Sequence, residues 1–244
     1  MSLAPPPDGR ADWALFLDLD GTLAPLCPHP DDVQVPDATR DAMRALAGAL
    51  DGAVAVLSGR PLAQLRRLLP DVDGVVMVGC HGAEAEDGIA ATVDRPALAA
   101  ARIAMTPVAG AVEGAWIEDK PAGFAVHYRA CPDAGPALRQ AATDAIAAEP
   151  SLRTIAGHAV VEVGPAGTSK GHVLERLLRE PRFRGRVPVA VGDDVTDEDA
   201  FAAAARHGGF GVLVGARDAT VARHALPDVA ATGAWLRRMV EKRR

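Results

Sequence analysis

Residues 15–22 have the sequence Leu15-Phe16-Leu17-Asp18-Leu19-Asp20-Gly21-Thr22, in which an apolar run ends abruptly in polar residues. The apolar run predicts a short buried strand. A strand that ends in two acids places their carboxylates at the carboxyl edge of a sheet, where open α/β sheets bind ligands. An isolated Asp-x-Asp would usually be a capping turn, but the apolar run before it and the Gly-Thr after it favour a ligand site.

The spacing of Asp18 and Asp20 suits phosphoryl transfer. Residues two apart on a strand point the same way, so both carboxylates can face one reaction centre. One can attack phosphorus and form an aspartyl phosphate, while the other protonates the leaving oxygen and later activates water. Two carboxylates this close need a cation, and Mg²⁺ prefers oxygen ligands. We assign Asp18 as the nucleophile and Asp20 as the acid/base.

Composition narrows the class of protein. The chain has 244 residues, is 49% hydrophobic and carries a net charge of −6, which allows one large domain or two small ones and excludes global disorder. No basic run carries interleaved aromatics, so no nucleic-acid partner is expected. No apolar run approaches the roughly 18 residues of a membrane span. Residues 1–9 lack a signal-peptide core and the three cysteines form no Cys-x-x-Cys pair, so we expect a cytoplasmic protein. A monomer is a separate expectation, which these features do not determine.

The order of strands and helices predicts the fold class. Buried strands at 53–57 and 75–78 each follow an amphipathic helix, and this alternation predicts a parallel, doubly wound sheet. A later stretch alternates more and predicts an inserted α/β cap with a small, mainly antiparallel sheet. The first domain then resumes with a buried strand at 187–191. The predicted parts are a flexible tail (1–12), a core (13–85 and 166–244) and a cap (86–165).

Two further polar groups suit the same chemistry. Ser58 follows the strand 53–57, and its hydroxyl can bind a phosphate oxygen, although an isolated Ser-Gly-Arg would be an ordinary turn. Lys170 opens a helix after a polar Gly-Thr-Ser loop. A cation is needed near Asp18 to neutralise the carboxylate and the entering phosphoryl group. Most lysines are solvated surface residues, so the place of Ser58 and Lys170 in the candidate catalytic set depends on the family that their segments resemble.

Acidic residues also follow the strand 187–191. Asp193 comes directly after Gly192 at the predicted sheet edge, where a metal ligand is required. We assign Asp193 as the side-chain ligand, with Asp194 or Asp197 assisting through bound water. Part of this acidity has a structural explanation, because Thr196 can cap the next helix and acids favour its first turn.

These four segments resemble, in the same order, the four motifs of the haloacid dehalogenase (HAD) superfamily of phosphotransferases. The resemblance implies an α/β fold with a HAD-like Rossmannoid parallel sheet core and an inserted α/β cap. It also implies that Asp18 is both nucleophile and Mg²⁺ ligand, and that Asp20 binds the metal through its backbone carbonyl. The expected metal site therefore contains Asp18, Asp20 and Asp193, with Asp194 and Asp197 beside them.

The chain is similar in finer detail to trehalose-6-phosphate phosphatases, over about residues 14–215. In that family a Glu-x-Lys segment and a later Glu hold the disaccharide, and these map onto Glu118, Lys120 and Glu162. Carboxylates accept hydrogen bonds from sugar hydroxyls and Lys donates to them. Without the resemblance, a solvated cross-strand polar face would be preferred. The segments that carry the likeness are 79–84, 116–120, 127–129, 161–163 and 192–197, and further substrate contacts are expected from Gly21, Thr22, Arg60, His81, His127 and Arg129.

One position departs from the family pattern. Gly164 stands where members often have Arg before a Pro, so this basic contact is either missing here or supplied by another residue. The resemblance implies a Mg²⁺-dependent phosphatase that converts trehalose 6-phosphate and water to trehalose and phosphate. The alternatives are a relative that acts on sucrose phosphate or a mannosyl phosphate ester, and a catalytically silent sugar-phosphate-binding regulatory module. The intact catalytic residues, Asp18, Asp20, Lys170 and Asp193, argue against the silent module.

Overall fold

The computed structural model describes residues 3–27, 29–86, 92–157 and 159–242. The chain forms two compact units, the first comprising Met1–Asp87 and Ser169–Arg244 and the second Gly88–Thr168. Each unit has its own sheet. Within the described ranges, no helix has the length and apolar character needed to cross a bilayer.

The described residues form eleven strands and seven α-helices. The strands are β1 (Trp13–Leu17), β2 (Val54–Leu57), β3 (Val76–Gly79), β4 (Glu84–Ala85), β5 (Trp116–Lys120), β6 (Gly123–His127), β7 (Leu152–Gly157), β8 (Val160–Pro165), β9 (Val187–Gly192), β10 (Phe210–Val214) and β11 (His224–Leu226). The helices are α1 (Asp37–Ala49), α2 (Leu62–Leu68), α3 (Arg95–Gly110), α4 (Gly135–Ala145), α5 (Lys170–Leu177), α6 (Glu198–Arg206) and α7 (Val229–Glu241).

The first unit is built on a seven-stranded sheet with the order β11-β10-β9-β1-β2-β3-β4. All neighbouring strands are parallel except β3 and β4, which confirms the predicted parallel core. Every residue of β1 is buried, as expected for a continuous apolar run in the middle of a parallel sheet. Because β9, β1 and β2 are neighbours, the residues that follow them meet at one edge of the sheet.

The second unit has a four-stranded antiparallel sheet with the order β5-β6-β8-β7, which confirms the predicted small antiparallel sheet. Phe124, Val126, Val161 and Val163 pack into a core with the apolar side chains of α3 and α4. Side chains alternate between the two faces of a strand. The intervening residues of β5, β6 and β8 therefore point to the face opposite the helices, which we call the polar face.

The N-terminal segment packs against the first unit in the described residues, whereas the sequence predicts a flexible tail there. The carbonyl of Pro7 accepts a hydrogen bond from Nε1 of the fully buried Trp235 at 2.7 Å. Ala4 forms a parallel bridge with His224 beside β11. A buried indole N–H needs an acceptor, and this long-range requirement has no local sequence signal.

Candidate active site

Asp18 lies at the carboxyl edge of the first sheet, directly after β1. Its backbone N–H donates to the carbonyl of Val191 at 2.9 Å, so β1 stays paired with β9 up to the acid. Its Oδ1 accepts a hydrogen bond from Nζ of Lys170 at 2.6 Å. Lys170 begins α5, where Ser169 caps the helix by accepting from the N–H of His172 at 3.1 Å. Asp18 and Lys170 are both buried, so this ion pair is shielded from water.

Lys170 also donates to Oδ1 of Asp197 at 2.7 Å. The other oxygen of Asp197 accepts from the N–H of Asp194 at 2.9 Å. A Cβ added to Gly192 would lie 2.0 Å from Cγ of Asp197, so the absence of a side chain at Gly192 makes room for this carboxylate. Asp197 therefore orients Lys170 with both of its oxygens already hydrogen-bonded.

Asp193 completes a cluster of three acids. One carboxylate oxygen from each of Asp18, Asp193 and Asp197 lies within 4.8 Å of the others. Gly21 has a φ of 78°, and a Cβ there would lie 2.1 Å from Oδ2 of Asp193, so the turn after β1 admits the Asp193 carboxylate only because residue 21 is glycine. Thr22, also buried, donates to Oδ1 of Asp193 at 3.5 Å.

The charges of this cluster fit a divalent cation. Three carboxylates face one ammonium group, which leaves two negative charges uncompensated at a buried site. Burial raises the pKa of Asp18 well above its usual range and that of Asp193 to about 6. Burial lowers the pKa of Lys170, but Asp18 and Asp197 outweigh this and raise it, so Lys170 stays charged. A hard cation with two positive charges and a preference for oxygen would balance the site.

Asp194 has a structural contact of its own. It is the N-cap of the 3-10 turn at Val195–Asp197, and its Oδ1 accepts from the N–H of Val195 at 2.6 Å. The predicted capping of the next helix by Thr196 is wrong, because the N-cap of α6 is Asp197, and Asp194 and Asp197 form a reciprocal capping box around the turn before it. Among the described residues, the acidic cluster contains Asp197 and leaves out Asp194.

Asp20 is bound to Arg60. The guanidinium donates from Nε and Nη2 to the two carboxylate oxygens, each at 2.7 Å. Arg60 is also anchored to the carbonyl of Pro30 at 2.9 Å. A fork of two hydrogen bonds of this kind fixes the orientation of the carboxylate. Arg60, expected among the substrate contacts, therefore orients Asp20, the predicted acid/base.

The loop after β2 is hydrogen-bonded to the turn after β3, which has an unusual backbone conformation. Ser58 is buried, and its Oγ accepts from the N–H of Arg60 at 3.1 Å. Cys80 and His81 both have positive φ, at 47° and 54°, which non-glycine residues rarely adopt. Their N–H groups donate to the carbonyls of Arg60 and Ser58 at 2.9 and 3.0 Å. A Cβ on Gly59 would lie 2.5 Å from Nε2 of His81, so the imidazole packs on the loop.

The polar face of the second unit carries the expected sugar-binding residues. Nε2 of His127 lies 2.9 Å from Oε2 of Glu118, and Nζ of Lys120 donates to Oε1 of Glu162 at 2.6 Å. The hydrogen bond with His127 lowers the pKa of Glu118, so this carboxylate is ionised at neutral pH. Arg129 follows β6 and is exposed. The structure thus brings together Glu118, Lys120, His127 and Glu162 on one face.

The sequence-based prediction gave no functional role to two further residues of this face. The indole of Trp116 stacks on the imidazole of His127, with ring centroids 4.1 Å apart and planes 13° apart. Arg153 lies directly opposite Gly164 in the pairing of β7 with β8. The spacing of Trp116 two residues before Glu118 could have revealed the first. The second depends on strand register, which the sequence alone does not specify.

Comparisons with known proteins agree on one family. The family model described as trehalose-phosphatase matches residues 16–229. A trehalose-6-phosphate phosphatase of Escherichia coli (strain K12) is 40% identical over 234 residues, which cover 94% of this chain and 87% of the relative.

Solved structures agree on the fold. The C-terminal domain of a C. albicans trehalose-6-phosphate phosphatase superposes with a TM-score of 0.81 at 23% identity, covering 95% of this chain and 92% of that chain. A phosphatase of the haloalkanoate (HAD) superfamily from Bacteroides thetaiotaomicron gives a TM-score of 0.59 at 21% identity, covering 94% of this chain and 95% of that chain. These likenesses confirm the predicted HAD-like fold. The family model and the 40% identity to the E. coli enzyme show that the chain belongs to the trehalose-phosphatase family.

Proposed function

We propose that this protein is a Mg²⁺-dependent phosphatase that hydrolyses trehalose 6-phosphate to trehalose and phosphate. The observation that carries the proposal is the cluster of Asp18, Asp193 and Asp197 at the edge of the first sheet, in which Lys170 donates to Asp18 and Asp197. The trehalose-6-phosphate phosphatase of E. coli, 40% identical, supports the choice of substrate. We further propose that the protein acts as a monomer in the cytoplasm.

In the proposed reaction, a carboxylate oxygen of Asp18 attacks phosphorus and forms an aspartyl phosphate. Asp20, in its protonated form, donates a proton to the sugar oxygen as the bond between phosphorus and that oxygen breaks. Asp20 then takes a proton from water, whose oxygen attacks phosphorus and releases phosphate and Asp18. Lys170 stabilises the negative charge on Asp18 and the phosphoryl group, and Ser58 donates a hydrogen bond to a phosphoryl oxygen.

Asp18 and Asp193 would hold the metal through their carboxylates, and Asp20 through its backbone carbonyl. Bound Mg²⁺ would neutralise charge on the phosphoryl oxygens. Asp197 acts by positioning Lys170, because both of its oxygens are engaged. Any assistance to the metal from Asp194 or Asp197 would pass through bound water.

The second unit supplies sugar recognition in this proposal. Glu118, Lys120 and Glu162 offer two carboxylates and one ammonium group on the polar face of one sheet. Sugar hydroxyls both donate and accept hydrogen bonds, so such a mixed set can bind them. Recognition and chemistry then belong to separate units, which makes them separable by mutation.

The proposal is tested by phosphate release from a panel of trehalose 6-phosphate, sucrose phosphate, a mannosyl phosphate ester and an aryl phosphate. We expect trehalose 6-phosphate to have the highest kcat/KM, a chelator to abolish activity and added Mg²⁺ to restore it. The Asp18→Asn protein serves as the control for contaminating phosphatase. A higher kcat/KM for sucrose phosphate would show that the protein is a sucrose phosphate phosphatase instead. If no compound released phosphate, a catalytically silent binding module would be favoured.

A further inference from the structure

Trp116 differs from the other tryptophans of the chain. The sequence has three, of which Trp13 and Trp235 are 2% and 0% exposed and lie in the core of the first unit. Trp116 is 50% exposed. Single exposed apolar side chains are common on protein surfaces, so exposure alone indicates nothing. The surroundings of Trp116 are what give it significance.

The indole lies on the polar face and is held in place before any ligand binds. Trp116, Glu118 and Lys120 alternate along β5 and therefore share one face. Trp116 is the direct cross-strand neighbour of His127, on which it stacks, and His127 in turn pairs with Glu118. Imidazole thus covers one side of the indole and fixes its orientation, while half of the side-chain surface stays exposed.

The chemistry of the polar face is otherwise one-sided. Glu118, Lys120 and Glu162 can bind the hydroxyl rim of a sugar, but a pyranose also presents a face of C–H groups that none of them can bind favourably. A flat aromatic ring is the side chain that covers such a face. Trp116 precedes Glu118 by two residues, about 7 Å along the strand, which is close enough for one sugar ring to contact both.

We infer that Trp116, supported by His127, forms an aromatic subsite on which one glucosyl ring of the disaccharide stacks. This inference rests on the proposed function and adds a specificity-determining residue to it. The competing explanation is that Trp116 and His127 only form a cross-strand pair that stabilises the edge strand β5. The two explanations differ in what a ligand does to the indole and in which substrates a substitution affects.

Tryptophan fluorescence tests the subsite without turnover. In the Asp18→Asn protein, saturation with trehalose 6-phosphate should reduce acrylamide quenching, because Trp116 is the exposed tryptophan while Trp13 and Trp235 are already buried. Inorganic phosphate should give no such protection. The Trp116→Phe change in the same background should remove the effect. Unchanged quenching when calorimetry shows that trehalose 6-phosphate is bound would overturn the inference.

Kinetics of Trp116→Phe, Trp116→Leu and Trp116→Ala provide the second test. Stacking predicts that kcat/KM for trehalose 6-phosphate falls roughly 2- to 12-fold in the Leu and Ala variants and much less in Phe, because only Phe keeps a flat ring. Hydrolysis of an aryl phosphate should not change. The matched control is Ile103→Ala, which removes an apolar side chain that is 72% exposed on α3 of the same unit and should leave both substrates unaffected.

The outcomes separate this inference from the proposed function. Equal losses on both substrates, or a Leu variant as active as the Phe variant, would mean that Trp116 supports the strand, and the inference would fail alone. A wild-type preference for sucrose phosphate would refute the choice of trehalose, and the same ring-dependent loss measured on sucrose phosphate would still support the subsite. Failure of the wild-type protein to bind any disaccharide phosphate would refute both.

Discussion

Gly21 has both a left-handed backbone conformation and a close contact with Asp193, the proposed metal ligand. Its positive φ and the carboxylate of Asp193, 2.1 Å from a hypothetical Cβ, make two separate demands for glycine. Gly208 also has a positive φ, of 79°, but a Cβ there would meet nothing within 4 Å. The two glycines therefore separate the cost of the backbone conformation from the cost of displacing Asp193, the proposed metal ligand.

We predict that Gly21→Ala and Gly208→Ala each lower the free energy of unfolding by about 1–2 kcal/mol, the cost of a left-handed conformation for a residue with a side chain. Only Gly21→Ala should raise the Mg²⁺ concentration needed for half-maximal activity, by roughly 10- to 100-fold, because it moves Asp193. Denaturation and Mg²⁺ titration measure the two effects. An unchanged Mg²⁺ requirement in Gly21→Ala would remove Asp193 from the metal site.

Arg60 gives a second prediction at the scale of single residues. Its fork of two hydrogen bonds to Asp20 cannot be reproduced by lysine. We expect Arg60→Lys to lower kcat for trehalose 6-phosphate and for an aryl phosphate by similar factors, about tenfold or more, because Arg60 acts on the acid/base. The competing role, contact with the sugar, predicts a loss confined to trehalose 6-phosphate. Steady-state kinetics on both substrates distinguish the roles.

At the scale of elements, the alternation of side chains along β5 and β8 places Glu118, Lys120 and Glu162 on one face of the second unit's sheet. Glu118→Gln, Lys120→Met and Glu162→Gln each remove a charged hydrogen-bonding group and leave the first unit unchanged. A hydrogen bond to a charged group contributes about 1.5–3 kcal/mol, so each change should lower kcat/KM for trehalose 6-phosphate roughly 10- to 150-fold. Aryl phosphate hydrolysis should stay the same. Similar losses on both substrates would assign these residues to folding or chemistry.

Strand register also suggests how the missing basic residue at Gly164 is replaced. Arg153 lies directly across from Gly164 in the sheet. A Cβ added to Gly164 would have one atom within 4 Å, the carbonyl oxygen of Ala122 at 3.8 Å, so a side chain would fit there. We predict that Arg153→Ala lowers kcat/KM for trehalose 6-phosphate about tenfold, as the loss of one charged hydrogen bond implies. Adding Gly164→Arg should restore much of it. Failure of this second change to restore activity in a folded protein would argue against an exchange of roles between the two positions.

At the scale of the whole molecule, the N-terminal segment packs on the first unit although it forms none of the strands of that unit's sheet. Removing residues 1–9 would leave the buried indole N–H of Trp235 without the carbonyl of Pro7 and would expose Met239, against which Gly9 packs. An unsatisfied buried donor costs about 1–3 kcal/mol. We expect the shortened protein to have a free energy of unfolding lower by at least that amount, as measured by chemical denaturation. It should keep its activity below its melting temperature. Removal of residues 1–3 alone is the control and should change little.

The parallel core and its catalytic edge follow from local pattern. An apolar run that ends in acids predicts a buried strand with carboxylates at its end, and parallel neighbours bring such ends together. For this reason the sequence alone groups Asp18 with Asp193, whereas Lys170, which opens a helix, joins them only through the family resemblance. The polar face of the second unit follows equally from alternation along β5 and β8.

Partners far apart in the chain could not be predicted in this way. Arg60 binds Asp20 from 40 residues away, and Trp235 binds Pro7 from 228 residues away. Local periodicity specifies which face a side chain occupies, whereas the partner of a long or buried polar side chain depends on strand register and on which acceptor packing leaves within reach. The stacking of Trp116 on His127 and the position of Arg153 opposite Gly164 depend on register for the same reason.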